Sequence, residues 1–241
     1  MMILFFIIGC IFGSFINVVL SRKDWYKGRS RCDTCGYVLK WYDLIPIISF
    51  CFLKGKCRKC HSKIGVLHLA SELYMGCGFA VVSIYFQQGM MAAMIQIAAI
   101  IFLGIYAISD TKEYAVSTLY LYGGLMTVSL LRMIDILSAG DVQKAVIFVI
   151  THSIVCAVFR LVAKKAQNHI GEGDFDIFML ILLATGAFNT LICITIASVI
   201  GTALYLPLVI NKKHERAKPI PLAPLLYVGF VITLLGGGVA I

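Results

Sequence analysis

The stretch FDIFMLILLATGAFNTLICITIASVIGTALYLPLVI, residues 175–210, decides how this chain is arranged. It carries a single charge, Asp176, and is nearly twice the roughly 20 residues that cross the hydrocarbon core of a bilayer. Both flanks are basic, with Arg160, Lys164 and Lys165 before it and Lys212, Lys213, Arg216 and Lys218 after it. Basic connections stay in the cytoplasm. The chain must therefore go out and come back, turning near GAFNT (186–190). That leaves an outgoing helix of about 14 residues, or roughly 21 Å, shorter than the core it crosses.

The composition fits this reading throughout. Hydrophobic residues make up 60% and charged residues 14%, and the mean hydropathy is +0.92. A soluble chain of 241 residues would need more polar surface to cover its core. Lipid leaves a backbone two ways to satisfy its polar groups, the helix and the closed barrel. Continuous rather than alternating apolar runs exclude the barrel. The expected fold is an all-α polytopic membrane protein of about eight transmembrane helices, near 1–21, 64–86, 90–108, 114–131, 142–160, 175–188, 190–210 and 224–241. The first run lacks a basic start and reads as a retained span rather than a signal peptide.

Charge sets the orientation. Nineteen of the 21 lysines and arginines fall in every second connection, eleven of them between the first two spans. Only Arg132 and Lys144 lie on the other side. Both termini are expected outside the cytoplasm. The net charge of +9 needs no nucleic acid; it fits topology and attraction to anionic lipid. Three regions are expected: a first helix at 1–21, a small cytoplasmic insertion at 22–63, and a membrane bundle at 64–241. No internal repeat stands out.

The insertion contains Cys32-x-x-Cys35 and Cys57-x-x-Cys60. Paired CxxC knuckles present four thiolates to one tetrahedral Zn²⁺. A reducing cytoplasm favours metal over disulfides, and about 40 residues have too little core to fold without a staple. The expected role is structural, since no coordination position is left open. Free thiols, or His61 replacing Cys60 as a ligand, are the alternatives. Cys10, Cys51, Cys77, Cys156 and Cys193 sit singly in apolar runs and are expected to pack.

The carboxylates are fewer and more telling. Glu172, Asp174 and Asp176 cluster in GEGDFD, and Asp110 closes the third span in AISDTKEYAVS. Topology puts Asp110 and Asp174 at the same membrane face. Two close carboxylates in a partly dry site share one proton, so that one acid polarises a carbonyl while the other activates water. Plainer readings stand beside this. Asp174 can be the N-cap of a helix beginning at Phe175, and Asp110 an interfacial residue near Lys112. A helix N-terminus favours negative charge, so Asp174 is expected to be the more readily ionised of the two. Asp176 lies about 200° round the helix from Asp174, and Glu113 is expected to face solvent. His68 and Glu72 share one face of the second span. They and Asn17 are intramembrane polar groups, functional candidates by default, though buried hydrogen bonds explain them equally well. His169 is expected at the interface and His214 in a solvated loop.

The motifs GCIFGSFINVVLSR (9–22), the double CxxC, DLIPIISF (43–50), GKCRKC (55–60), SELYMG (71–76), SDTKEYAVS (109–117) and GEGDFD (171–176) together resemble bacterial type IV prepilin peptidases. The resemblance implies an intramembrane aspartyl protease of the GxGD class, with Asp110 and Asp174 as its catalytic pair. Such enzymes cut the leader of a prepilin or pseudopilin after a glycine at the cytoplasmic face. Many then methylate the new N-terminus with S-adenosylmethionine, an activity associated with the zinc module. A relative with the protease alone is the nearest alternative, and a zinc-regulated transporter a more distant one. Two departures stand out: Ser117-Thr118 where the family has Pro-Asp or Pro-Asn, and Asp176 where a lysine is common.

Overall fold

The structure is a computed structural model, and it describes residues 1–21, 26, 28–113, 117–166, 172–210 and 221–237. His169, Gly171 and His214 lie outside the described residues, as do the side chains of Glu113 and Glu172. Among the described residues there are helices and two isolated β-bridges, but no strands. Two compact units are resolved, Met1–Ser83 and Ile84–Ile241.

The first unit is built on two packed helices, α1 (Met2–Ser21) and α3 (Val66–Val82). Small residues let them approach. A Cβ on Gly13 would lie 2.5 Å from the Ser71 carbonyl oxygen, and one on Gly76 would lie 2.6 Å from the Cys10 sulfur. Gly9 abuts the Met75 backbone in the same way. Gly9, Gly13 and Asn17 recur every four residues, so they form one stripe along α1. At its end Asn17 Nδ2 donates to the Ser71 hydroxyl and to the Gly13 carbonyl (3.3 Å). Asn17 therefore ties the pair together. Without water or a hydrophobic force between helices, such close backbone contact and buried polar bonds are what hold spans together. Between α1 and α3 come the cysteine knuckles and a short helix, α2 (Ile48–Phe52).

In the second unit α4 (Met90–Glu113) packs against α5 (Thr118–Ser138), α7 (Glu172–Thr185) and α9 (Ala223–Leu235). Next to these, α6 (Val142–Ala166) touches α5 and α7, while α8 (Ala187–Ile210) packs on α9. Tyr85, in a 3₁₀ turn just before α4, donates its hydroxyl to the Leu234 carbonyl at the end of α9 (2.9 Å). Gly229 lets α9 close on α8, where a Cβ would lie 2.7 Å from the Cys193 carbonyl oxygen.

Among the described residues, six helices are long and apolar enough to cross a membrane; α7 and α9 are shorter. The expected turn at GAFNT is made by Gly186 alone, at φ +82°, with α7 ending at Thr185 and α8 starting at Ala187. Three expectations need correction. The last helix ends at Leu235 instead of running through 241. Its inner residues Leu226, Tyr227 and Phe230 are almost fully buried, so protein rather than lipid surrounds it and full bilayer length is not required. The fourth span reaches Ser138, not 131, because Arg132 is buried within it rather than marking its end. The sixth begins at Glu172, which puts Asp174 inside the first turn and not at the N-cap.

Replacing Gly13 with leucine should separate α1 from α3. Overpacking of this kind costs about 1–3 kcal/mol. Thermal unfolding in detergent should show a lowered midpoint for Gly13→Leu, while Ile11→Leu on the exposed face of α1 should leave it unchanged.

Candidate functional site

Among the described residues, each unit holds one set of side chains to consider: four thiols in the first and the acids Asp110 and Asp174 in the second.

In the first unit the four thiols of Cys32, Cys35, Cys57 and Cys60 converge, with all sulfurs within 4.8 Å of one another. The Cys32–Cys60 and Cys35–Cys57 separations are 3.8 and 3.9 Å. A tetrahedral zinc with Zn–S bonds near 2.3 Å has S···S edges of about 3.8 Å, so the set fits the ion. The two knuckles share one design. Arg31 pairs with Val38 and Lys56 with Lys63. The Cys32 N–H donates to Tyr37 (2.8 Å) as Cys57 does to Ser62 (2.9 Å), and the Gly36 N–H donates to Cys32 (2.9 Å) as His61 does to Cys57 (3.0 Å). A short structural repeat is thus present where the sequence showed none, because it leaves only cysteines and a basic residue in common. His61 holds the place of Gly36, both at positive φ (+55° and +68°). It shapes a turn, and Cys60 completes the sulfur set. Backbone N–H groups of Cys35 and Thr34 pull the Cys32 thiol down to about 6, and the Ser62 hydroxyl lowers Cys60. Both effects favour thiolates at these two ligands. Cys35, despite the Tyr37 N–H that lowers it, is pushed up to about 11 by desolvation and hydrogen bonds with the neighbouring sulfurs.

The knuckles are fastened to the segment between them by Asp43. Its Oδ1 accepts from Arg58 Nε and Nη2, both at 2.8 Å, and its Oδ2 from the Lys40 N–H at 3.2 Å. Arg58 also lies over the Tyr42 ring, 4.9 Å from its centre. Beneath the knuckles, bounded also by α1 and α3, is a cavity of ≈ 270 Å³ lined in part by Ser14, Asp43, His68 and Glu72. The buried Glu72 carboxylate accepts the Ile47 N–H (2.7 Å) and is also bonded by Ser14. Ile47 is a β-branched residue at φ +61°, a conformation that costs energy and is held only where its surroundings enforce it.

In the second unit Asp110 lies in the last turn of α4 and Asp174 in the first turn of α7. Asp110 Oδ2 accepts the N–H of Ala223 at 3.0 Å, and Leu222 donates to the same carboxylate. These are free donors at the start of α9, so the carboxylate caps that helix. The helix-terminus argument that favoured Asp174 as the anion therefore applies to Asp110 as well. The surrounding contacts put both acids at one end of the unit. The Tyr106 hydroxyl, one turn before Asp110, donates to the carbonyls of Tyr120 (3.0 Å) and Leu121 (3.3 Å). Leu121 in turn lies 3.5 Å from where Gly173 would carry a Cβ. Asp176 is within electrostatic range of Tyr106. The Leu222–Ala223 backbone was not picked out from sequence, and no local signal marks it, since it lies more than a hundred residues from its partner.

Comparison with known proteins agrees with the motif reading. Residues 7–86 match the family described as Bacterial Peptidase A24 N-terminal domain. The chain is 28% identical to a prepilin leader peptidase/N-methyltransferase of Bacillus subtilis, over 98% of its own length and 95% of that protein's. It is 24% identical to one of Aeromonas salmonicida over 97% of the chain and 90% of the relative. Identity reaches 41% with one of Myxococcus xanthus, but there covers 30% of the chain and 22% of the relative. No solved structure matches.

Metal analysis of the purified protein should find about one zinc per chain, and Cys57→Ser should lose it. His61→Gly should instead strengthen the knuckle. A side chain in the left-handed region costs about 1–2 kcal/mol, and chelator titration should show slower zinc loss from this variant than from wild type.

Proposed function

We infer that this chain is a prepilin leader peptidase of the bacterial cytoplasmic membrane that also methylates the N-terminus it creates. The observation that carries the proteolytic half is the placement of Asp110 and Asp174 at one end of a membrane bundle, in a chain similar over nearly its whole length to enzymes of that name. By the charge parity of the connections this end faces the cytoplasm. A prepilin or pseudopilin leader is basic and stays there, while the apolar segment behind it enters lipid, so the bond between them reaches the acids.

In this mechanism the pair holds one proton. The protonated carboxyl donates to the scissile carbonyl oxygen and the ionised one takes a proton from water as its oxygen attacks the carbonyl carbon. A proton then passes to the departing amine. The amides of Leu222 and Ala223 keep Asp110 fixed while its charge changes, and the short α7 sets the depth of Asp174. Asp110→Asn and Asp174→Asn should each lower kcat on a prepilin peptide by at least about 10²-fold. Zinc content and the unfolding midpoint should be unchanged. Cleavage at the wild-type rate by either variant would refute the assignment.

Methyl transfer needs a place for S-adenosylmethionine, a cation at sulfur. The cavity under the knuckles is the candidate: Glu72 offers a carboxylate and Ser14 a hydroxyl for the cofactor. Asp43 is engaged by Arg58, and the basic side chains Arg31, Arg58 and Lys63 that also line the space suit the cofactor's carboxylate. The bound cofactor would supply the methyl group. Within the chain, the zinc-clamped knuckles and the Glu72–Ile47 bond keep that cavity shaped. Equilibrium dialysis should show S-adenosylmethionine binding to wild type and to Asp174→Asn alike. Glu72→Gln should weaken it about tenfold, the loss of one charge-assisted contact. Equal binding by Glu72→Gln would move the cofactor elsewhere.

A further inference from the structure

The helix α7 stops at Thr185, inside an apolar bundle and one residue short of the next helix. A helix end leaves four carbonyls without intrahelical donors, and a bilayer has no water to supply them. Here every one is matched. The Gly186 N–H donates to Leu182 at 2.9 Å. Arg132 Nε donates to Leu183 at 3.3 Å and its Nη2 to Ala184 at 2.9 Å. Gln96 Nε2 adds a second bond to Ala184 at 2.9 Å, and Asn189 Nδ2 donates to Thr185 at 2.9 Å. Arg132 and Gln96 are 8% and 1% exposed. The remaining guanidinium nitrogen, Nη1, lies 3.7 Å from Asp135 Oδ2. Gln96 turns its amide toward Ala184 although its own Oε1, also buried, has no partner among the described residues.

The bonds tie three helices at one level: α4 through Gln96, α5 through Arg132, and the end of α7. The same α4 carries Asp110, fourteen residues beyond Gln96, and α7 carries Asp174, ten before Ala184. At 1.5 Å per residue these are about 21 Å and about 15 Å along the two axes. Both acids thus lie on the far side of the tie, staggered by roughly one helical turn. A slip of α7 along α4 would change that stagger directly, and the carbonyl bonds are what resist it.

We propose that Arg132, seconded by Gln96, is a positioning residue that fixes the sliding register of α7 against α4 and so sets Asp174 opposite Asp110. A planar fork bonds two successive carbonyls at once, which a lysine ammonium does not reproduce, and its charge complements the negative end of α7. This inference rests on the two-aspartate reading for its effect on catalysis, but the register itself can be measured without it.

The experiment has two readouts on the full chain in detergent. The first is cleavage kinetics on a prepilin peptide for wild type, Arg132→Met, Arg132→Lys and Gln96→Met. The second is cross-linking by a short bis-maleimide between Asp110→Cys and Asp174→Cys. For this the cysteines outside the zinc set are replaced by alanine, and Arg132 is varied as before. Arg132→Met should lower kcat by about 10²-fold, the order expected of a 1 Å misplacement, with KM changed by less than about twofold. It should also lose most of the cross-link. Arg132→Lys should fall between, and Gln96→Met should show a smaller loss of both. Undiminished kcat in a folded Arg132→Met protein overturns the proposal, as does lost kcat with a fully retained cross-link. If wild type fails to cut the peptide while the cross-link still depends on Arg132, the functional reading falls and the positioning role stands. Should Arg132→Met fail to fold, Arg132→Lys and Gln96→Met decide by the same two readouts.

Discussion

A helix that ends inside a membrane must find donors for its last carbonyls, and the second unit is organised around that requirement. α7 is 14 residues long, too short to bring both ends to water. Its cost is met by side chains from α4, α5 and α8, so the helix is bound to three neighbours at its closed end. Its other end bears Asp174. The same brevity that demands buried partners at one end leaves Asp174, half-buried, in the first turn at the other. Asp110 is held by a parallel device, the free amides at the start of α9. Each acid is thus placed by the unsatisfied end of a helix.

The first unit solves a different problem. A loop of some 40 residues between two spans has little apolar core of its own. Two turns of one design meet at four sulfurs, Asp43 ties Arg58 to the chain between them, and Glu72 reaches from α3 to the strained Ile47. The arrangement leaves a walled space lined by both acidic and basic side chains.

Much of the fold was legible in the sequence because lipid imposes a coarse rule. Apolar runs must be continuous, and basic loops must stay on one side. The out-and-back crossing at 175–210 followed from those two facts and appears as α7 and α8, turned at Gly186. The sulfur set was legible too, since CxxC spacing directly encodes a ligand geometry. What escaped were the contacts between distant partners that no spacing motif announces. Arg132 looked like a stray charge outside the topology pattern; it is a buried cap for carbonyls about fifty residues away. Gly9 and Gly13 carry meaning only once Met75 and Ser71 are opposite them. The amides that hold Asp110 belong to residues with no side-chain signal at all. The family resemblance named the two acids but not what holds them.

The central claim is that two acids from α4 and α7 activate water against one peptide bond. Its most direct test is a leader peptide in which a hydroxyethylene group replaces the scissile amide, imitating the tetrahedral species that such a pair stabilises. The account predicts competitive inhibition at least about 10²-fold tighter than the affinity for the parent peptide, with the gain abolished in both Asp110→Asn and Asp174→Asn. Binding no tighter than the parent peptide, or a gain that survives either substitution, would contradict it.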